Sequence, residues 1–216
     1  MPGACPIPGA IEKTSMTQTA ISLTEYDFVV VIDTSGSMGE PVKAGSNVSR
    51  WDAVQESALT FVRDIEKLDS DGLGLVLFGG SNIKSFDGVG TDAVREAFAA
   101  SGPRGGTPLA EALTAALKLA GKSDKKDFII VFTDGVPDDK AAAAKVIRDA
   151  SNKQETDDSL TILFVQVGDN ADATAYLKSL DDDLKGCKFD IVDAKTVEEA
   201  DQFATTADMV IAAIND

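Results

Sequence analysis

The 216-residue chain carries 36 acidic against 20 basic side chains, a formal charge of -16, and contains no histidine. Acidity of this size repels phosphate backbones and anionic lipid surfaces, which argues against nucleic acid as a partner and against a membrane-surface role. The missing histidine removes the commonest general base and the commonest transition-metal ligand, and a 44% hydrophobic content excludes wholesale disorder.

In chain order, residues 1–22 read as a loose N-terminal arm and 23–216 as one domain. The opening segment, MPGACPIPGA, lacks both a basic region and the apolar stretch of roughly 7–15 residues that a secretory signal needs. No run of roughly 18 apolar residues predicts a membrane span. The chain therefore reads as cytoplasmic, or as extracellular if it is an excised domain. Cys5 and Cys187 lack nearby companions for a zinc site and read as two free thiols in preference to a disulfide.

Five short apolar runs follow: Phe28 to Ile32, Leu73 to Phe78, Phe128 to Phe132, Leu160 to Val167, and Phe189 to Val192. They are nearly continuous rather than alternating, as strands buried on both faces of a parallel sheet are. A weaker run, Ile83 to Phe86, comes after the turn residues Gly79-Gly80-Ser81-Asn82 and predicts a short antiparallel edge strand. Helical periodicity falls on Val54 to Ile65, Leu109 to Leu117 and Val197 to Ile214. Start signals precede each one: Ser49 with Asp52, Thr107 before Pro108, and Thr196 with Glu199. The alternation predicts an α/β fold with a doubly wound, mostly parallel sheet of about six strands and helices on both faces.

In such a sheet, ligands bind beyond the C-terminal ends of the strands, where strand order reverses. Asp33, Ser35 and Ser37 follow the first strand, Thr107 precedes a helix, and Asp134 follows the strand Phe128 to Phe132. Singly, these residues read as loop polar groups, a helix cap and a turn. Together they offer two carboxylates and three hydroxyls without nitrogen or sulfur, a donor set suited to Mg²⁺ or Mn²⁺, with Ca²⁺ as a third candidate. Gly36, Gly105, Gly106 and Gly135 relieve the backbone so that the loops can approach.

The segments Val-Ile-Asp33-Thr-Ser35-Gly-Ser37-Met, Gly105-Gly106-Thr107-Pro-Leu and Phe-Thr-Asp134-Gly135 resemble the von Willebrand factor type A family, including integrin inserted domains. The resemblance runs over about residues 24–214 in element order. It implies a complete metal-ion-dependent adhesion site: Ser35, Ser37 and Thr107 on the metal, Asp33 and Asp134 acting through water, and a partner protein supplying an Asp or Glu carboxylate. It also implies that the last helix, Thr196 to Ile214, can shift along the sheet. The loop Gly39 to Ser49 is long for the family, and Arg50-Trp51 falls near the site, with Trp51 read as part of a helix start rather than a ligand contact.

Two rival functions stand beside this one. The first is an intracellular scaffold subunit of an ATPase-associated complex with a structural metal. The second is a Mg²⁺-dependent phosphotransferase or hydrolase; against it, Asp33-Thr34-Ser35 lacks the second aspartate of haloacid-dehalogenase-type phosphatases and Asp-Thr-Ser-Gly is not the Asp-Thr-Gly of aspartic proteases. Gly121-Lys122-Ser123 ends a helix instead of opening one, and Gly88-Val-Gly90-Thr-Asp-Ala93 follows only the edge strand, so both nucleotide-loop resemblances read as chance.

Overall fold

The computed structural model describes residues 21–68 and 71–216; Cys5 and nearly all of the expected N-terminal arm lie outside them. Six strands form one sheet: β1 (Tyr26–Asp33), β2 (Leu73–Gly79), β3 (Asn82–Val89), β4 (Lys126–Thr133), β5 (Leu160–Gln166) and β6 (Val192–Thr196). Their order is β3-β2-β1-β4-β5-β6, and every neighbouring pair is parallel except β2 with β3. The order reverses between β1 and β4, so the crevice expected of a doubly wound sheet opens beyond Asp33 and Thr133.

The continuous apolar runs are explained by burial on both sides. In β1, Phe28, Val30 and Ile32 face one layer, which includes Val54, Phe61 and Val62 of α1 (Arg50–Ile65) and Val210 of α7 (Thr206–Ile214). Val29 and Val31 face the other, against Leu113 of α3 (Leu109–Leu119), Ile147 of α4 (Lys140–Ser151) and Leu177 of α5 (Ala171–Asp181). The two-residue period of a strand places neighbours on opposite faces, and here both faces are covered. Phe128 sits at the centre of the first layer, fully buried and 5.8 Å from the Phe28 ring. A Phe128→Ala variant is expected to lose about 3–5 kcal/mol of stability. Urea unfolding should register this as a lower midpoint with an unchanged slope.

The β2–β3 hairpin turns at Gly80, whose φ is +60°. The start of α1 is the expected capping box, Ser49 accepting from the Asp52 amide and Asp52 accepting from that of Ser49. Trp51 packs edge-on against Phe98 of α2 (Thr91–Ala99) with ring centroids 5.4 Å apart, in keeping with a helix-start role.

Three expectations need correction. The last strand is Val192–Thr196, not Phe189 to Val192; it carries Asp193 and Lys195, and the apolar run is the approach to it, with the Ile191 carbonyl accepting from Ile162 N–H at 2.7 Å. The last helix is two pieces, α6 (Val197–Ala200) and α7, because Thr205 accepts from the Asp208 amide and starts a new helix. Thr206 then ties α7 to α1 by donating to Asp64 at 2.7 Å. Helices α2, α4 and α5 were not among those read from periodicity, although α5 buries Ala173, Tyr176, Leu177 and Leu180 at helical spacing.

Candidate metal centre

Four of the five predicted site residues form one hydrogen-bonded chain. The Ser35 amide donates to Asp33 Oδ1 at 2.7 Å, the Ser35 and Ser37 hydroxyl oxygens lie 3.1 Å apart, and Ser37 Oγ donates to Asp134 Oδ1 at 2.9 Å. Both carboxylates are fully buried. They come from the ends of adjacent strands, Asp33 as the last residue of β1 and Asp134 directly after β4.

Thr107 arrives on a third loop. That loop is braced on three sides: Gly36 N–H donates to the Gly105 carbonyl at 2.9 Å, Gly80 N–H to that of Gly106 at 2.8 Å, and Asp138 N–H to that of Thr107 at 3.1 Å. Gly105 has a φ of +72°, and a Cβ there would lie 2.4 Å from the Gly80 Cα, so the close approach requires glycine. Gly135 is different, since a Cβ would come no nearer than 4.0 Å, to Ser37 Oγ. Thr107 is not the helix cap that its place before Pro108 predicts. Pro108 occupies the cap position of α3 without a side-chain bond, and among the described residues the buried Thr107 makes no hydrogen bond through its hydroxyl. Among the described residues, no hydrogen bond joins Thr107 to Asp33, Ser35, Ser37 or Asp134; its loop is tied to theirs by the backbone bond between Gly36 and Gly105.

Two residues of the site had no role assigned from sequence. Thr133 donates to Asp33 Oδ2 at 2.7 Å, so both oxygens of Asp33 are engaged. Arg50 extends from the first turn of α1 and donates through Nη1 to Asp134 Oδ2 at 2.7 Å, to the Ser37 carbonyl at 3.3 Å and to Glu40 Oε2 at 3.2 Å. A sequence signal for Arg50 existed, because a cation in the first turn of a helix opposes the helix dipole and calls for another partner. The Gly39 to Ser49 loop supports this arm, pairing Val42 N–H with the Val48 carbonyl at 3.0 Å and Arg50 N–H with that of Glu40 at 2.8 Å.

Burial pushes the Asp33 carboxyl up to about 7, against the lowering effect of the Thr133 and Ser35 hydrogen bonds, with the neighbouring Asp134 charge adding to the rise. A second carboxylate group, Asp181, Asp193 and Asp216, lies at the β6 edge, far along the sheet from Asp33. Asp193 is paired there with Lys195. The two nucleotide-like stretches serve the fold. Gly90 begins α2 against Glu66, to which Thr91 Oγ1 donates at 2.6 Å, and Lys122 and Ser123 bind Asp87 and Asp27.

A doubly wound sheet with polar loops converging at its switch point defines a class of ligand-binding α/β domains. Residues 28–136, just over half of the chain, match the von Willebrand factor type A domain, and the chain belongs to that family. No curated protein matches the chain. Among solved structures, the PilB minor pilin from Streptococcus sanguinis is similar with a TM-score of 0.58 and 14% identity, over 88% of this chain and 60% of that one. The pilus adhesin SpaC from Lactobacillus rhamnosus GG has a TM-score of 0.55 at 18% identity, over 88% and 30%. The manganese-loaded TRAP protein of Plasmodium vivax has a TM-score of 0.54 at 18% identity, over 82% and 71%. These likenesses concern the fold, and this chain spans about 60% of the pilin's length. Among the described residues, no helix is long and apolar enough to cross a membrane.

Proposed function

We propose that the chain is a metal-dependent protein-binding domain that captures an aspartate or glutamate side chain of a partner through a Mg²⁺ or Mn²⁺ ion at Asp33, Ser35, Ser37, Thr107 and Asp134. The observation that carries this reading is a pair of spacings, 3.1 Å between Ser35 Oγ and Ser37 Oγ and 2.9 Å between Ser37 Oγ and Asp134 Oδ1. Adjacent oxygens of an octahedral shell with bonds of about 2.0–2.1 Å stand about 2.9 Å apart, so the two hydroxyls can share one ion, while the Ser37–Asp134 bond holds a hydroxyl ligand beside a carboxylate that would reach the ion through water. The oxygen-only donor set and the unengaged Thr107 hydroxyl also support a hard cation.

When bound, the ion would supply an electrophilic position at which an incoming carboxylate replaces water. The chain's part is to hold that position. Thr133 and the Ser35 amide fix Asp33, Ser37 and Arg50 fix Asp134, and the glycine at 105 lets the Thr107 loop pack against Gly36 and Gly80. The manganese in the TRAP structure and the adhesin character of SpaC are consistent with the same reading.

Calorimetric titration with Mg²⁺, followed by a blocked aspartate-containing peptide, tests it. The expected outcome is metal binding abolished by EDTA and peptide binding only to the loaded protein. Metal binding that raises the melting temperature without any carboxylate adding would favour the scaffold alternative, and metal-dependent turnover of phosphate esters would favour an enzyme.

A further inference from the structure

Among the described residues, Arg50 is the only buried cationic side chain, and it lies within hydrogen-bond distance of a carboxylate proposed to serve a cation. The fold makes concessions to keep it there. Its Nε is buried without a hydrogen-bond partner. Gly168, at a φ of +87°, would place a Cβ 2.7 Å from that nitrogen, so the loop after β5 must be glycine for the guanidinium to fit. Arg50 also sits at the positive end of α1. A burial this unfavourable is not needed to neutralise Asp134 if a divalent ion arrives, since the ion would do so.

The charge count gives Arg50 a role. Asp33 and Asp134 together balance a divalent ion, and the guanidinium leaves the loaded site with one excess positive charge. Glu40 and Asp138, whose carboxylate lies against Gly106, offset part of this, but both are exposed and solvent screens them. A ligand carboxylate restores neutrality; a neutral donor does not.

We infer that Arg50 couples the two binding events, weakening the empty site's hold on the cation and strengthening the loaded site's preference for an anionic ligand. The inference rests on the proposed metal-dependent function and adds the source of its selectivity for carboxylates.

The test titrates Mn²⁺ into the wild type, Arg50→Gln and Arg50→Lys, each with and without millimolar glutarate as the carboxylate probe. Without glutarate, Arg50→Gln should bind Mn²⁺ at least tenfold more tightly than the wild type, because a neighbouring positive charge is gone. Arg50→Lys, which keeps the charge, should stay within about threefold of the wild type. Glutarate should tighten Mn²⁺ binding at least fivefold in the wild type and less than twofold in Arg50→Gln. Equal weakening of Mn²⁺ binding by both substitutions would make Arg50 a positioning residue and overturn the inference, as would a wild type insensitive to glutarate. A wild type that binds no Mn²⁺ at all would overturn the proposed function itself, an outcome distinct from either. If Arg50→Gln does not fold, the exposed Glu40→Gln decides: it should weaken Mn²⁺ binding and enlarge the glutarate response, and an unchanged response refutes the coupling.

Discussion

An Asp33→Ala variant is expected to lose all Mg²⁺-dependent stabilisation and all metal-dependent ligand capture. Asp33 anchors the hydrogen-bonded series that runs through Ser35 and Ser37 to Asp134, so its removal frees the Ser35 amide and the Thr133 hydroxyl in a buried pocket. A cation binding only the native state stabilises it in proportion to RT ln(1 + [L]/Kd), about 2.7 kcal/mol at a concentration of 100 Kd. Thermal melts at 10 mM-scale Mg²⁺ and with EDTA should therefore diverge for the wild type and coincide for the variant. Ligand binding that is independent of metal, with unchanged affinity in Asp33→Ala, would refute the proposed function.

The second large effect is on stability in the absence of metal. The Asp33 carboxyl titrates at about 7 when folded against an ordinary value of 3.8, so between pH 4 and pH 7 the native state holds a proton that the unfolded chain has released. Stability therefore falls as pH rises through that window, is complete below about 4, and levels off above about 7. Asp127, up to about 7, and Asp181, up to about 6, push in the same direction, each mainly through burial. Asp33→Asn removes the most deeply buried of these contributions while preserving shape. In EDTA at pH 8 it should be more stable than the wild type by on the order of 3 kcal/mol, with little difference at pH 4. Urea denaturation at the two pH values checks this, and a variant less stable than the wild type at pH 8 would contradict it. The same carboxylate that would serve the ion thus burdens the metal-free fold, a conflict common where function needs a buried charge.

The sheet and three converging loops were legible because their physics is local. Strands buried on two faces cannot hide their apolar runs, and Asp33, Thr107 and Asp134, the last two directly beside glycines, stand at the ends of elements whose direction the alternation of strand and helix already fixes. The misplaced last strand has the opposite character. At the sheet's edge, Val-Asp-Ala-Lys-Thr needs only one covered side, so Phe189 to Ile191 outshone it. The break between α6 and α7 is marked only by the start signal Thr205 with Asp208, and Phe203 masks it by packing on the core through it, so the apolar period survives where the helical hydrogen bonds do not. Arg50 could be seen near the site but not assigned a partner. Its bond to Asp134 joins residues 84 apart and depends on Gly168, a distant position whose backbone conformation no local pattern announces.

The sheet's two rims have a consequence for how copies of this chain behave in concentrated solution. An uncovered outer strand is a template on which another molecule can add its own backbone. Here one rim is β3, which at eight residues is longer than the short edge strand expected and bears Lys84 and Asp87, and the other is β6, whose Asp193 and Lys195 pair with each other. A stacking neighbour would have to strip water from the charges on β3, so fibre growth at that border is disfavoured even though the interior strands are rich in the apolar, β-branched residues that favour such stacking.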